Sequence, residues 1–158
     1  MKTLYIVRHG KTYKSIDDLE RELMPVGIER MRKLGNYLSE NNCKIDVLYS
    51  SYARRAVQTA QIIADAIQFP KDRIVTSEKL YFTGQDAYFD ILVEQDNSVE
   101  SILLVGHNPD ITNVAQFFIP DIVSYMQTGA CFCFDFDTDD WTKIFTAERT
   151  NRFYMRFE

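Results

Sequence analysis

The sequence predicts an α/β fold: a three-layer α/β/α sandwich with a mostly parallel central sheet and an antiparallel edge. Three observations predict it. Short apolar, β-branched runs alternate with stretches whose apolar residues recur at helical spacing, the pattern of a sheet covered by helices. The clearest run, Ile102-Leu103-Leu104-Val105, reads as a fully buried strand. The tail changes character, with two strand-like stretches and no helix pattern between them, which fits an antiparallel edge.

The elements follow in order. Leu4-Tyr5-Ile6-Val7 is too short and too β-branched for an amphipathic helix and ends abruptly at Arg8-His9-Gly10, a strand followed by a loop. After Pro25, which suits a first helical position, Ile28, Met31, Leu34 and Leu38 stripe a helix beside Glu29, Arg30, Arg32 and Lys33. Val47-Leu48-Tyr49 reads as a second strand. Ala53, Ala56, Val57, Ala60, Ile63 and Ile67 mark a second helix that stops before Pro70. Ile74-Val75 is a short third strand, Tyr88, Ile91 and Leu92 belong to a third helix, and Ile102–Val105 is the fourth strand. Ile111, Val114, Ala115 and Phe118 follow at helical spacing, with Pro109 just inside the start. Cys131 to Phe136 alternates and Phe153 to Phe157 is strand-like, so these two are expected to pair antiparallel.

The chain has 158 residues, 46% of them apolar, enough for one domain over residues 1–158 that buries a core without disulfides or metals. No apolar run approaches the roughly 20 residues of a membrane-spanning helix, and no signal-peptide pattern precedes Arg8-His9, so the expected location is cytoplasmic. Cys43, Cys131 and Cys133 are an odd number, and alternate positions on one strand do not pair; they read as reduced, buried thiols. The two histidines lack metal-ligand spacing to any cysteine, so neither a metal nor a cofactor is expected. A net charge of −5 disfavours nucleic acid or an anionic membrane as the main partner, although an acidic chain can still hold a small cationic pocket.

Such a pocket is legible at the carboxyl ends of the predicted strands: Arg8-His9-Gly10 after the first, Ser50 to Arg55 after the second, Gly106-His107-Asn108 after the fourth. Parallel sheets bind ligands at that edge. Both histidines of the chain and two arginines fall on it.

These residues, in this order, resemble the histidine phosphatase (phosphoglycerate mutase-like) superfamily. Its Arg-His-Gly appears as Arg8-His9-Gly10, its serine before Arg-Ala-x-Gln-Thr as Ser51 and Arg55-Ala56-Val57-Gln58-Thr59, and its later strand ending in histidine as Leu103-Leu104-Val105-Gly106-His107. The compact length, and Arg21-Glu22-Leu23-Met24-Pro25-Val26-Gly27 resembling an Arg-x-Leu-x-x-x-Gly element, are most similar to the small SixA-type phosphohistidine phosphatases. The resemblance implies a phosphatase acting through a phosphohistidine intermediate, without metal or cofactor. It implies as substrate a protein bearing phosphohistidine, or a small phosphorylated molecule.

Chemistry assigns the same roles. His9 attacks phosphorus only through a neutral nitrogen, so its other nitrogen should donate to a fixed acceptor such as a backbone carbonyl. Arg8 and Arg55 offer planar forks to phosphoryl oxygens, and His107, at a plausible helix start, stabilises the phosphoryl group rather than attacking it. Arg54 adjoins Arg55, but the Arg-Ala-x-Gln-Thr register selects Arg55. Arg21 reads by itself as a surface charge between Glu20 and Glu22; only the resemblance makes it a phosphate ligand. Lys11 and Lys14 read as solvated. Relatives acting on alcohol esters use a carboxylic acid from the region between the last two signatures, where Glu78 and Asp86 are candidate proton donors without a clear motif.

Rival readings are a small-molecule phosphomonoesterase, which needs one of those acids, and a phospho-ligand binding module without turnover. A plain nucleotide-binding domain is disfavoured because no G-x-G-x-x-G or Walker-type run occurs.

Overall fold

The computed structural model describes residues 1–121 and 125–158. Its strands are β1 (Lys2–Arg8), β2 (Val47–Ser51), β3 (Val75–Ser77), β4 (Ser101–Gly106), β5 (Cys131–Phe136) and β6 (Arg149–Met155). The helices are α1 (Pro25–Glu40), α2 (Arg54–Ile67), α3 (Asp86–Val93) and α4 (Asp110–Phe118). Among the described residues the strands form one sheet in the order β3-β2-β4-β1-β5-β6. β3, β2, β4 and β1 are parallel; β5 pairs antiparallel with β1, and β6 antiparallel with β5. This is the mostly parallel sheet with an antiparallel edge that the sequence predicts.

Strand alternation divides the core between the two faces. Leu4, Ile6, Ile102 and Leu104 point to the side covered by Tyr88, Ile91 and Leu92 of α3 and Ile111, Val114 and Phe118 of α4. Tyr5, Val7, Leu103 and Val105 point to the side covered by Met31, Leu34 and Leu38 of α1 and Ala56, Ala60 and Ile63 of α2. Each fully buried Leu, Ile or Val contributes roughly 1.5–3 kcal/mol relative to exposure. At the start of β1 Lys2, only 2% exposed, donates through Nζ to the carbonyls of Asn97 (2.6 Å) and Val99 (2.8 Å), which satisfies its buried ammonium.

The structure shifts several expected boundaries. β3 is Val75–Ser77 rather than Ile74-Val75, and Pro109 stands immediately before α4 rather than inside it. β5 is buried on nearly its whole length, because Phe132, Phe134 and Phe136 enter one core while Cys131 and Cys133 enter the other. β6 lies over 149–155 rather than 153–157. Its polar start is masked in sequence because an edge strand needs only backbone pairing; Arg152 adds two bonds to Asp135 (2.8 and 2.6 Å), and the β5–β6 register slips between Cys133 and Phe134. All three cysteines are free thiols, with Cys131 and Cys133 buried and Cys43 half-buried. Among the described residues no helix is long and apolar enough to cross a membrane.

Gly106 closes β4 where the buried Tyr88 hydroxyl donates to the Leu80 carbonyl (3.1 Å) and accepts from the His107 amide (3.3 Å). A Cβ on Gly106 would stand 2.0 Å from that hydroxyl and 2.7 Å from the ring. Gly106→Ala should therefore cost about 1–3 kcal/mol of stability, read as a lower urea midpoint at unchanged slope.

Candidate active site

The site is built where β1 and β4 end together. Arg8 pairs with Gly106, the His9 amide donates to the Gly106 carbonyl (3.2 Å), and the His9 and His107 rings lie with centroids 5.1 Å apart. The loop beyond β1 is fixed from two sides. Gly129 donates its amide to the carbonyls of Arg8 (3.0 Å) and His9 (2.9 Å), and the Gly10 amide donates to Thr59 Oγ1 (3.1 Å). Thr59 in turn donates to the Arg55 carbonyl (2.8 Å), while Gln58 Oε1 accepts the Leu23 amide (2.8 Å). The first two turns of α2 thus stitch the loops around the pocket.

His9 is 5% exposed, with Nδ1 2.8 Å from the Gly10 carbonyl. A carbonyl only accepts, so Nδ1 carries the proton and Nε2 keeps its lone pair. Burial, then the neighbouring His107 ring and the two arginines, hold the His9 pKa well below the ordinary 6.5, against the opposing Gly10 bond. The result is a neutral imidazole with a free nucleophilic nitrogen.

Arg55 is 1% exposed, whereas Arg54 turns outward to Glu22 (2.9 Å) and Glu20 (4.0 Å), as the sequence register requires. Arg8 donates through Nη1 to the Met126 carbonyl (3.0 Å), beside Asn108 Nδ2 on the same oxygen (2.6 Å). His107 Nε2 lies 2.8 Å from Ser51 Oγ, which already accepts the Ala53 amide (3.3 Å). Assigning the Ser51 proton to that contact leaves His107 protonated on Nδ1. Burial and then Arg55 bring the His107 pKa down to about 3, against Asp18, so this ring too is neutral. Among the described residues the buried side-chain atoms without a partner include Arg8 Nε, Arg55 Nε and His107 Nδ1. Buried donors seldom stay unpaired, so this trio around His9 matches an anion with several acceptor oxygens.

Asp18 is a member of the site that the sequence did not reveal. Its carbonyl accepts from Arg55 Nη1 (2.7 Å), and its carboxylate accepts from Arg55 Nη2 (3.0 Å), Arg21 Nη1 (3.2 Å) and the Tyr81 hydroxyl. Partial burial raises its pKa, but the bonds from Tyr81, Arg55 and Arg21 outweigh this and bring it to about 2. Arg21 is further tied to the Tyr13 carbonyl (3.0 Å) and Thr12 Oγ1 (2.6 Å). Arg21 therefore reaches the pocket through Asp18, with its guanidinium engaged on Nε, Nη1 and Nη2. The available signals were the spacing of Asp18 three residues before Arg21 and Ser51 within the second signature.

Among the described residues neither carboxylic acid predicted from sequence forms a hydrogen bond or ion pair with these groups. Glu78 is exposed at the head of a short 3-10 turn, and Asp86 is exposed in the first turn of α3, facing a cleft of about 540 Å³ lined with Tyr49, Ser77, Lys79 and Asp90. Both follow β3, as does Tyr81, whose ring lies 5.5 Å from that of His107 and whose hydroxyl reaches Asp18. Lys11 and Lys14 are exposed, as expected. Among the described residues no three His, Cys, Asp or Glu side chains are grouped to hold a metal ion.

Comparison with known proteins agrees with this geometry. Residues 4–80 match the model of the histidine phosphatase superfamily (branch 1). The 2,3-bisphosphoglycerate-dependent phosphoglycerate mutase of Nautilia profundicola is 35% identical over 72 residues, which take in 42% of this chain and 31% of the mutase. That of Thermobifida fusca is 34% identical over 67 residues, 39% and 27% of the two chains. The aligned stretch thus spans about a third of these curated relatives. Likeness of fold extends further. A Nakamurella multipartitia protein designated as a SixA phosphohistidine phosphatase superposes with a TM-score of 0.84 at 20% identity, covering 98% of this chain and 95% of that one. The protein histidine phosphatase SixA complexed with tungstate does so with 0.79 at 22%, covering 98% and 96%.

Protonating either imidazole adds charge to a buried site that already holds two guanidinium groups, so the neutral forms persist on acidification. In an NMR titration neither ring should show a midpoint near 6.5; His107 should titrate near 3. A midpoint above 6 for either ring contradicts the burial argument.

Proposed function

We propose that this chain, alike in its first half to the histidine phosphatase superfamily and in its whole fold to SixA structures, is a phosphatase that takes phosphate onto His9. Its preferred substrate is phosphohistidine on a protein. The observation that carries the reading is the trio of unpartnered buried nitrogens, Arg8 Nε, Arg55 Nε and His107 Nδ1, beside an imidazole whose Nε2 is free. A protein histidine phosphatase SixA of similar fold has been solved in complex with tungstate, an oxyanion, which supports the reading.

In the first step the Nε2 lone pair of His9 forms a bond to phosphorus while the bond to the leaving group breaks and its electron pair departs with that group. Arg8, Arg55 and His107 hold the three equatorial oxygens and neutralise the charge that develops there. In the second step water bonds to phosphorus, the P–N pair returns to Nε2 and the water proton passes to solvent. The arginines supply the positive charge, and the reading needs no metal or cofactor. It places the enzyme in the cytoplasm, where its three cysteines stay reduced.

Leaving-group chemistry selects the substrate class. An alkoxide must be protonated as it departs, and a positioned acid supplies about 10²–10⁴-fold. Asp18, the carboxylate against Arg55, has a pKa of about 2 and carries no proton to give at neutral pH. Glu78 is exposed on a 3-10 turn, and Asp86 lines a cleft whose lining does not include His9, Arg8, Arg55 or His107. An imidazole protonated on its second nitrogen departs as a neutral base without such help. The similarity to phosphoglycerate mutases favours the second reading, a small-molecule phosphomonoesterase, which requires an acid to be found.

Turnover of labelled phosphohistidine protein, quenched in alkali, should trap an acid-labile, base-stable phosphoryl group on His9. Label on serine or cysteine contradicts the mechanism. His9→Ala should abolish turnover. Arg55→Lys keeps the charge but loses the planar fork, and should cost roughly 2–4 kcal/mol in kcat/KM. Phosphoramidates and activated aryl esters should be hydrolysed well and alkyl phosphates poorly, with Glu78→Gln and Asp86→Asn near wild type. Fast alkyl phosphate hydrolysis abolished by either substitution establishes the phosphomonoesterase instead.

A further inference from the structure

The buried catalytic groups lie beneath two exposed aromatic faces that the reaction as derived does not use. Phe82 has a φ of +57°, a left-handed conformation that bulky residues rarely adopt, and is 49% exposed. Its ring lies against His107 with centroids 4.9 Å apart at 33°, and edge-on to Tyr81 at 4.7 Å. The segment is held on both sides of Phe82: the Tyr81 hydroxyl donates to Asp18, and the Gly84 amide donates to Asp110 Oδ2 (3.1 Å). Tyr125, 53% exposed, lies over the Arg8 guanidinium at 5.6 Å. Phe82 enters from the chain after β3 and Tyr125 from the chain before β5, so the two approach the β4–β1 pair from opposite sides of the sheet order.

In-line transfer places the leaving group on the far side of phosphorus from His9, and exposed rings stand at the site against His107 (Phe82) and over Arg8 (Tyr125). A group emerging there meets aromatic faces. A planar ring gains stacking from them, and a protonated imidazole gains cation–π attraction as well, whereas ammonia or a small alcohol offers no ring to stack. We infer that Phe82, with Tyr125, is the specificity-determining surface that seats the departing imidazole ring of the substrate. The inference rests on His9 being the nucleophile, and it assigns to the strained Phe82 backbone the task of presenting the ring face beside His107.

The test compares two substrates that share a P–N bond and differ in the ring: N-phosphoimidazole and phosphoramidate. In Phe82→Leu the kcat/KM preference for N-phosphoimidazole over phosphoramidate should fall roughly 3- to 10-fold, the scale of one aromatic pair. Phe82→Tyr, which keeps the face, should restore it. Tyr125→Leu gives an independent reading at a residue with ordinary backbone geometry and should shift the ratio in the same direction. Ratios unchanged in both leucine variants, with alkali-stable label still forming on His9, overturn the platform and leave the phosphatase standing. Absence of turnover and of label in the wild-type protein overturns both.

Discussion

The parallel pairing of β1 with β4 is the constraint on which the site depends. Because Arg8 is level with Gly106, the two strands end together and deliver His9 and His107 side by side, facing one small volume. A slip of one residue would invert the faces of every side chain on β1 and move Leu4 and Ile6 out of their core. The apolar alternation that fixes the fold therefore also fixes the distance between nucleophile and stabiliser. Neighbouring elements only refine it. α2 holds Gly10 through Thr59, and Gly129 clasps the carbonyls of Arg8 and His9.

Electrostatics follows from the same convergence. Two guanidinium groups and two buried imidazoles share one small volume, and charge of one sign is costly there. The protein answers by keeping both imidazoles neutral and by setting the ionised Asp18 against the outer nitrogens of Arg55. The inner donors remain unpaired, so the field is already oriented before an anion arrives and little reorganisation accompanies its binding. Asp18 also joins Arg21 and Tyr81 to the site, so one carboxylate coordinates three segments of chain.

Much of this was legible in the sequence, for identifiable reasons. β1 and β4 announce themselves as apolar runs because helices cover both sides of the sheet; Arg55 rather than Arg54 follows from the register of the Arg-Ala-x-Gln-Thr element, and its burial agrees. The hydrogen bond of His9 to a backbone carbonyl was required by its chemistry and is present. What escaped are contacts between distant positions. Asp18 is 37 residues from Arg55 and 63 from Tyr81, and the one local sign, its place three residues before Arg21, links it to a side chain that by itself reads as a surface charge. Only place along the chain nominates Glu78 and Asp86, and place says little about direction once a strand, a turn and a helix intervene. The sequence signals only the later part of β6, because its first residues are polar, as befits a strand with one partner.

The two borders of the sheet have a consequence for how copies of this chain meet one another. A bare strand edge is a template for a neighbour's backbone, and long flat edges seed aggregation. On one side the border is β3, which offers only three residues. On the other it is β6, twisted by the slip at Cys133/Phe134 and bearing the guanidinium groups of Arg149 and Arg152. Neither border presents a long flat apolar ladder. A sheet that concentrates its reactive groups at the ends of its central strands is thereby also shielded at its flanks, and crowding does not readily turn it into a fibre.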